Sequence, residues 1–181
     1  MTLYHGSPIG NLTVLKPFIS EHKKPYIYLA SNPVVALLYA VKPVPKQYSF
    51  YPYGFSGNKV VYSEYYNDCF KDIYKGKKGF LYECDNLENT ENPTAINCAY
   101  TLEKPHKINR CTVIDDIYEK FMEYKENGLF EIKLFGNIRE KELNFVYDDM
   151  RKTIIQHNLK DSPDSLMSQF IIAHFPEIWL E

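Results

Sequence analysis

The chain has 181 residues, 45% of them apolar and 24% charged, which excludes a disordered segment, poor in apolar residues and rich in one charge. A formal net charge of −2 and a pI near 6.2 exclude the global positive field of a general nucleic-acid binder, leaving local contact through a run such as Lys75 to Lys78. The departure from average is aromatic: 16 Tyr and 11 Phe supply π faces suited to cores, ring stacking and interfaces alike.

In chain order, residues 2 to 5 read as a short strand ending at Gly6, a residue that lets a ligand approach the main chain closely. Pro8, Gly10, Pro17 and Pro25 punctuate residues 7 to 25, predicting a loop with at most one turn through Leu12 to Leu15. Tyr26 to Ala30 is aromatic and β-branched and predicts a strand. Ser31 or Asn32 then caps a helix with Pro33 at its first position, running to about Val41 and stopped by Pro43.

Val44 to Phe55 reads as irregular and aromatic-lined, Val60 to Tyr62 as a strand, and Tyr65 to Tyr74 as a short helix. Gly76 to Gly79 turn into the strand Phe80 to Cys84, and Asp85 to Thr94 is a polar loop. Strand-like runs follow over Ala95 to Leu102 and His106 to Val113. After Asp115 the apolar spacing becomes helical, at Ile117, Phe121 and Tyr124, then Ile154, Ile155 and Leu159, then Leu166, Phe170 and Ile171. Asp115 or Asp116 caps a helix to about Asn127, and Ser162-Pro163 starts the last one.

Cys69, Cys84, Cys98 and Cys111 lie far apart without a Cys-x-x-Cys, so reduced thiols are expected rather than a zinc knuckle or a redox pair. His22, His106, His157 and His174 show no metal spacing. No run has signal-peptide or membrane length, and the strand-like Leu3-Tyr4 follows the initiator at once. A cytoplasmic protein is expected, or cargo of an export system that needs no such signal.

Tyr4-His5-Gly6-Ser7, then Tyr28-Leu29-Ala30 on a strand, then a helix bearing Tyr39, resembles the His-Tyr-Glu branch of the ADP-ribosyltransferase superfamily, which includes diphtheria toxin and the poly-ADP-ribose polymerases. The resemblance covers the first forty residues well and the next seventy by element order. It implies an α+β fold with a split, mostly antiparallel sheet over residues 1–115 and a helical extension over 116–181. It also implies NAD as co-substrate and no metal. His5 would hold the nicotinamide-side ribose, Gly6 and the adjoining Ser7 would border the nicotinamide amide, and Tyr28 and Tyr39 would sandwich the ring.

NAD chemistry suits such a set. A cationic ring stacks on tyrosine faces, an amide needs fixed backbone partners, and a ribose needs an oriented donor or acceptor. Glycosidic cleavage passes through an oxocarbenium-like centre, which a carboxylate stabilises. The resemblance places that glutamate at the opening of a late strand, and Glu103 is chosen over Glu83, Glu140 and Glu142. Two departures stand out: Ala36 occupies the helix position where many members bind the amide with a serine, and Leu15-Lys16-Pro17 replaces the usual Gly-Leu pair.

The leading expectation is a mono-ADP-ribosyltransferase acting on a protein or nucleic-acid acceptor. A module of the same fold that binds NAD, ADP-ribose or a partner without catalysis is the alternative, and an RNA 2′-phosphotransferase is a further one. Nothing in the sequence points to the second acceptor subsite that polymer elongation requires.

Overall fold

The computed structural model describes residues 1–19, 24–42, 52–94 and 96–181. The fold is α+β with mostly antiparallel sheets and a helical C-terminal part. Pro43, His22, Lys23, Ala95 and most of the 44–55 run lie outside the described residues.

The first strand, β1, spans Leu3–Ser7. The loop after it carries two two-residue strands, β2 Val14–Leu15 and β3 Phe18–Ile19, where only a turn was expected. Prolines spaced this closely still leave room for such short pairings. Strand β4 is Pro25–Ala30, followed by α1, Pro33–Leu38. Asn32 caps α1 by accepting from the Val34 N–H, with proline at the start of the helix. The helix ends at Leu38, before the expected Val41, and Tyr39 is its C-cap.

Strands β5 (Tyr53–Ser56) and β6 (Lys59–Ser63) form a hairpin, so the end of the aromatic run read as irregular is a strand. Helix α2 is Cys69–Tyr74 and β7 is Gly79–Cys84. Strands β8 (Ala99–Leu102), β9 (His106–Lys107) and β10 (Arg110–Ile114) follow. Asp116 then caps α3, Ile117–Glu126. Strand β11, Phe130–Lys133, was not expected in the helical third; it is short and follows Gly128, whose positive φ of 72° reverses the chain. The chain ends in α4 (Glu140–Gln156), α5 (Leu166–His174) and α6 (Pro176–Leu180); Ser165, not Ser162, caps α5.

In the main sheet the order is β10, β7, β1, β4, β3, with β8 also on β4. A smaller sheet orders β11, β6, β5, and β11 pairs with β6 in parallel. The last third of the chain therefore contributes a strand to the fold as well as helices. One apolar cluster runs from Ala30 through Tyr62, Phe70, Phe121 and Phe130 to Phe175, across residue 115. Within it Glu64 is buried, and its carboxylate accepts from the Phe70 and Phe135 N–H groups at 3.2 and 3.3 Å. A second cluster of Leu3, Leu15, Ile27, Leu29, Cys84 and Leu102 lies on the other face of the main sheet.

Candidate active site

The central observation is how β1 and β4 part. β1 pairs with β7 at five positions but with β4 at one, Tyr4 opposite Ala30. In an antiparallel ladder the next bonded pair would join Gly6 to Tyr28, and that pair is not formed. Instead the His5 ring crosses the gap, its Nδ1 lying 2.8 Å from the Tyr28 carbonyl oxygen. A carbonyl only accepts, so Nδ1 donates, and Nε2 is left as an acceptor in the neutral ring. Burial holds the His5 pKa below its usual 6.5, outweighing the opposite pull of the Tyr28 carbonyl.

The same alternation directs the Gly6 N–H and C=O towards the gap, since they face the edge that Tyr4 uses to reach Ala30. Among the described residues β4 offers this edge of Gly6 no ladder partner, so a donor and an acceptor stand side by side here, next to the His5 ring and Tyr28. Gly6 is glycine for a second reason as well. A Cβ there would lie 1.9 Å from the Ala36 carbonyl oxygen, so α1 packs directly on the β1 backbone. The close backbone approach read from the sequence is made, at this face, by the helix.

Ala36 is 4% exposed and presents its main chain to β1. Ser7 is buried too, and its Oγ accepts from the Ile9 N–H at 3.1 Å, which folds the loop after β1. Tyr28 is half-buried, its ring 5.8 Å from Phe18 and 6.1 Å from Tyr26. Tyr39 is 39% exposed at the end of α1, and its ring meets Tyr53 edge-on at 6.4 Å, the two hydroxyls 3.5 Å apart. Tyr28 and Tyr39 are not in ring contact with each other.

The glutamate assignment is corrected in one respect. Glu103 does not open a strand: it follows the end of β8, one residue beyond the Leu102 that pairs with Ile27. There it is exposed and borders a cavity of about 200 Å³ with Tyr26, Glu88, Glu91 and Thr101. Thr101 pairs with Tyr28, so Glu103 lies two residues beyond the partner of Tyr28. β8 itself opens at Ala99 after Cys98, where no carboxylate stands. Glu83 lies opposite Tyr4 and 3.9 Å from Arg110. Glu142 is bound by Arg139 and Lys133 at the start of α4, which lowers its pKa to about 2; Glu140 opens the same helix.

Two residues of this region escape a reading of the sequence. Tyr53, beside Tyr39, sits in an aromatic run whose alternation Tyr53, Phe55 was its only signal. Tyr82 stands opposite His5 on β7, and only the strand register identifies it. Among the described residues no group of His, Cys, Asp or Glu side chains is gathered to hold a metal ion, and no helix is long and apolar enough to cross a membrane. No family model, curated protein or solved structure matches the chain.

Proposed function

We propose that the protein is an NAD-dependent mono-ADP-ribosyltransferase that moves ADP-ribose to a macromolecular acceptor and releases nicotinamide. The observation that carries this reading is the split between β1 and β4. The N–H and C=O of Gly6, which have no ladder partner on β4, match the acceptor and donor of a carboxamide, and His5 Nε2 accepts a ribose hydroxyl beside them. Tyr28 supplies an aromatic face at one wall, and Tyr39, steadied by Tyr53, stands at the end of α1 for the other.

In the reaction the bond from ribose C1′ to the nicotinamide nitrogen breaks, and its electron pair neutralises the ring. The acceptor's nucleophile then adds to the cationic C1′ and loses its proton. Glu103 is the carboxylate assigned to polarise that nucleophile and offset the charge.

Incubation with labelled NAD is expected to release nicotinamide, and His5→Ala or Tyr28→Ala to reduce release by at least 100-fold, the scale of removing an oriented transition-state group. Unchanged release in both variants overturns the reading. Mass spectrometry of a lysate incubated with protein and NAD identifies the acceptor.

The absence of a carboxylate where β8 opens favours a second reading, a module that binds NAD or ADP-ribose without cleaving it. Glu103→Gln separates the two. An enzyme loses transfer and keeps NAD affinity, because the charge acts in the transition state. A binding module shows NAD affinity and no release in either form.

A further inference from the structure

Residues 8 to 13 run from β1 across the face of the main sheet that carries His5. Directly opposed residues share a face, so Ser7 and Phe80, His5 and Tyr82, and Leu3 and Cys84 form rows on this one. The loop is fastened to it at successive points. Ser7 Oγ accepts from the Ile9 N–H. Gly10 lies on the Phe80 ring, which a Cβ there would meet at 2.5 Å. The Tyr82 hydroxyl donates to the Ile9 carbonyl at 2.8 Å and accepts from the Leu12 N–H at 3.3 Å. Beyond them Leu15 is buried in the aliphatic cluster.

Tyr82 is fully buried, and its ring stacks on Phe80 with centroids 6.3 Å apart. Its hydroxyl therefore spends a donor and an acceptor on backbone groups of residues 9 and 12, which lie outside any strand. A buried tyrosine that only filled the core would need one partner for its O–H and could bond anywhere. This one bonds both ends of a four-residue segment beside His5.

We propose that Tyr82 is a positioning residue of the donor site, its hydroxyl holding residues 9–12 over the His5 face as a preformed wall for NAD. This rests on the NAD reading above. The loop order that Tyr82 supplies before binding need not be supplied by the ligand at each binding event, so its effect appears in affinity rather than in the chemical step.

Tyr82→Phe keeps the ring and removes both bonds. It is expected to raise the KM for NAD about tenfold, the scale of one lost hydrogen bond of this kind, with kcat within about twofold. Hydrogen exchange at residues 9–13 in the free protein should quicken. Tyr62→Phe is the matched control, since Tyr62 is fully buried and its hydroxyl contacts Cys69 Sγ at 3.4 Å, remote from the loop. It should lower the melting temperature and leave KM unchanged.

If the loop's exchange quickens in Tyr82→Phe while KM stays at the wild-type value, the hydroxyl is structural only and the proposal fails. A KM raised equally by Tyr62→Phe overturns it as well, by tracing the effect to stability. If the wild type neither binds nor cleaves NAD, the NAD reading falls and takes this one with it, whatever the exchange shows.

Discussion

The aromatic cluster around Phe70 and the aliphatic cluster on the opposite face of the sheet differ in what fills them and in what they leave open. Phe70 meets Tyr62, Tyr74, Phe121 and Phe130 at 4.6–5.2 Å between centroids. Tilted and edge-on aromatic contacts of this kind add to what burial alone contributes. The smaller cluster, built mainly from Leu and Ile, lies where β1 and β4 part, and there a histidine ring replaces a ladder pair. Aromatic packing is thus densest away from the gap between β1 and β4, and α1 joins the two, its Ala36 belonging to the aromatic cluster while lying against Gly6.

The division can be broken from either side. Phe70→Ala should have the largest effect on folding, about 3–5 kcal/mol for a fully buried ring, read by urea denaturation. The protein that remains folded should keep its KM for NAD, because Phe70 is remote from His5. A KM that rose with the loss of stability would show that the two regions are not separable.

Gly6→Ala reverses the pattern. The new methyl meets a backbone carbonyl, which cannot swing aside, so α1 must shift on β1 at a cost of about 1–3 kcal/mol. NAD turnover should be lost in protein that is still folded by circular dichroism. Retained turnover would remove Gly6 from the site.

The smallest effect is on pH dependence. Burial lowers the pKa of both His5 and His174 from 6.5, and His174 packs on Tyr66 with centroids 3.9 Å apart. As pH falls below 6.5 the unfolded chain takes up protons that the folded one refuses. The stability these rings contribute is therefore complete above about 6.5 and is lost as pH falls towards their folded values. His5→Gln should flatten the fall in melting temperature between pH 7 and 5 without abolishing it, since His174 remains. An unchanged slope would mean that His5 is not held neutral.

Much of the site's scaffold was legible in the sequence because it is local. Asn32-Pro33 announces a capped helix, Tyr26 to Ala30 reads as a strand, and residues 2 to 5 read as another, although that one runs on through Gly6 to Ser7. What escaped was set by distant partners. Val14-Leu15 is a strand only because His106-Lys107 lies opposite, and Phe130 to Lys133 only because β6 offers an edge. The end of β8 at Leu102 is where the sequence puts it, but Glu103 does not open the run to Cys111, because the chain forms β9 only from His106 and β10 only from Arg110. The parting of β1 from β4 has no local signal of its own, because it is a pairing that does not form; only the resemblance implied a split sheet.

The parallel strand β11 sets an order of events during synthesis. Phe130 pairs with Val60, 70 positions earlier, and until it arrives one edge of β6 presents open N–H and C=O groups. At ordinary translation speeds of about 5–20 residues per second, that edge waits roughly 4–14 s for its partner. The residues that would bind NAD leave the ribosome first, yet the fold beneath them closes only when the last third of the chain is made.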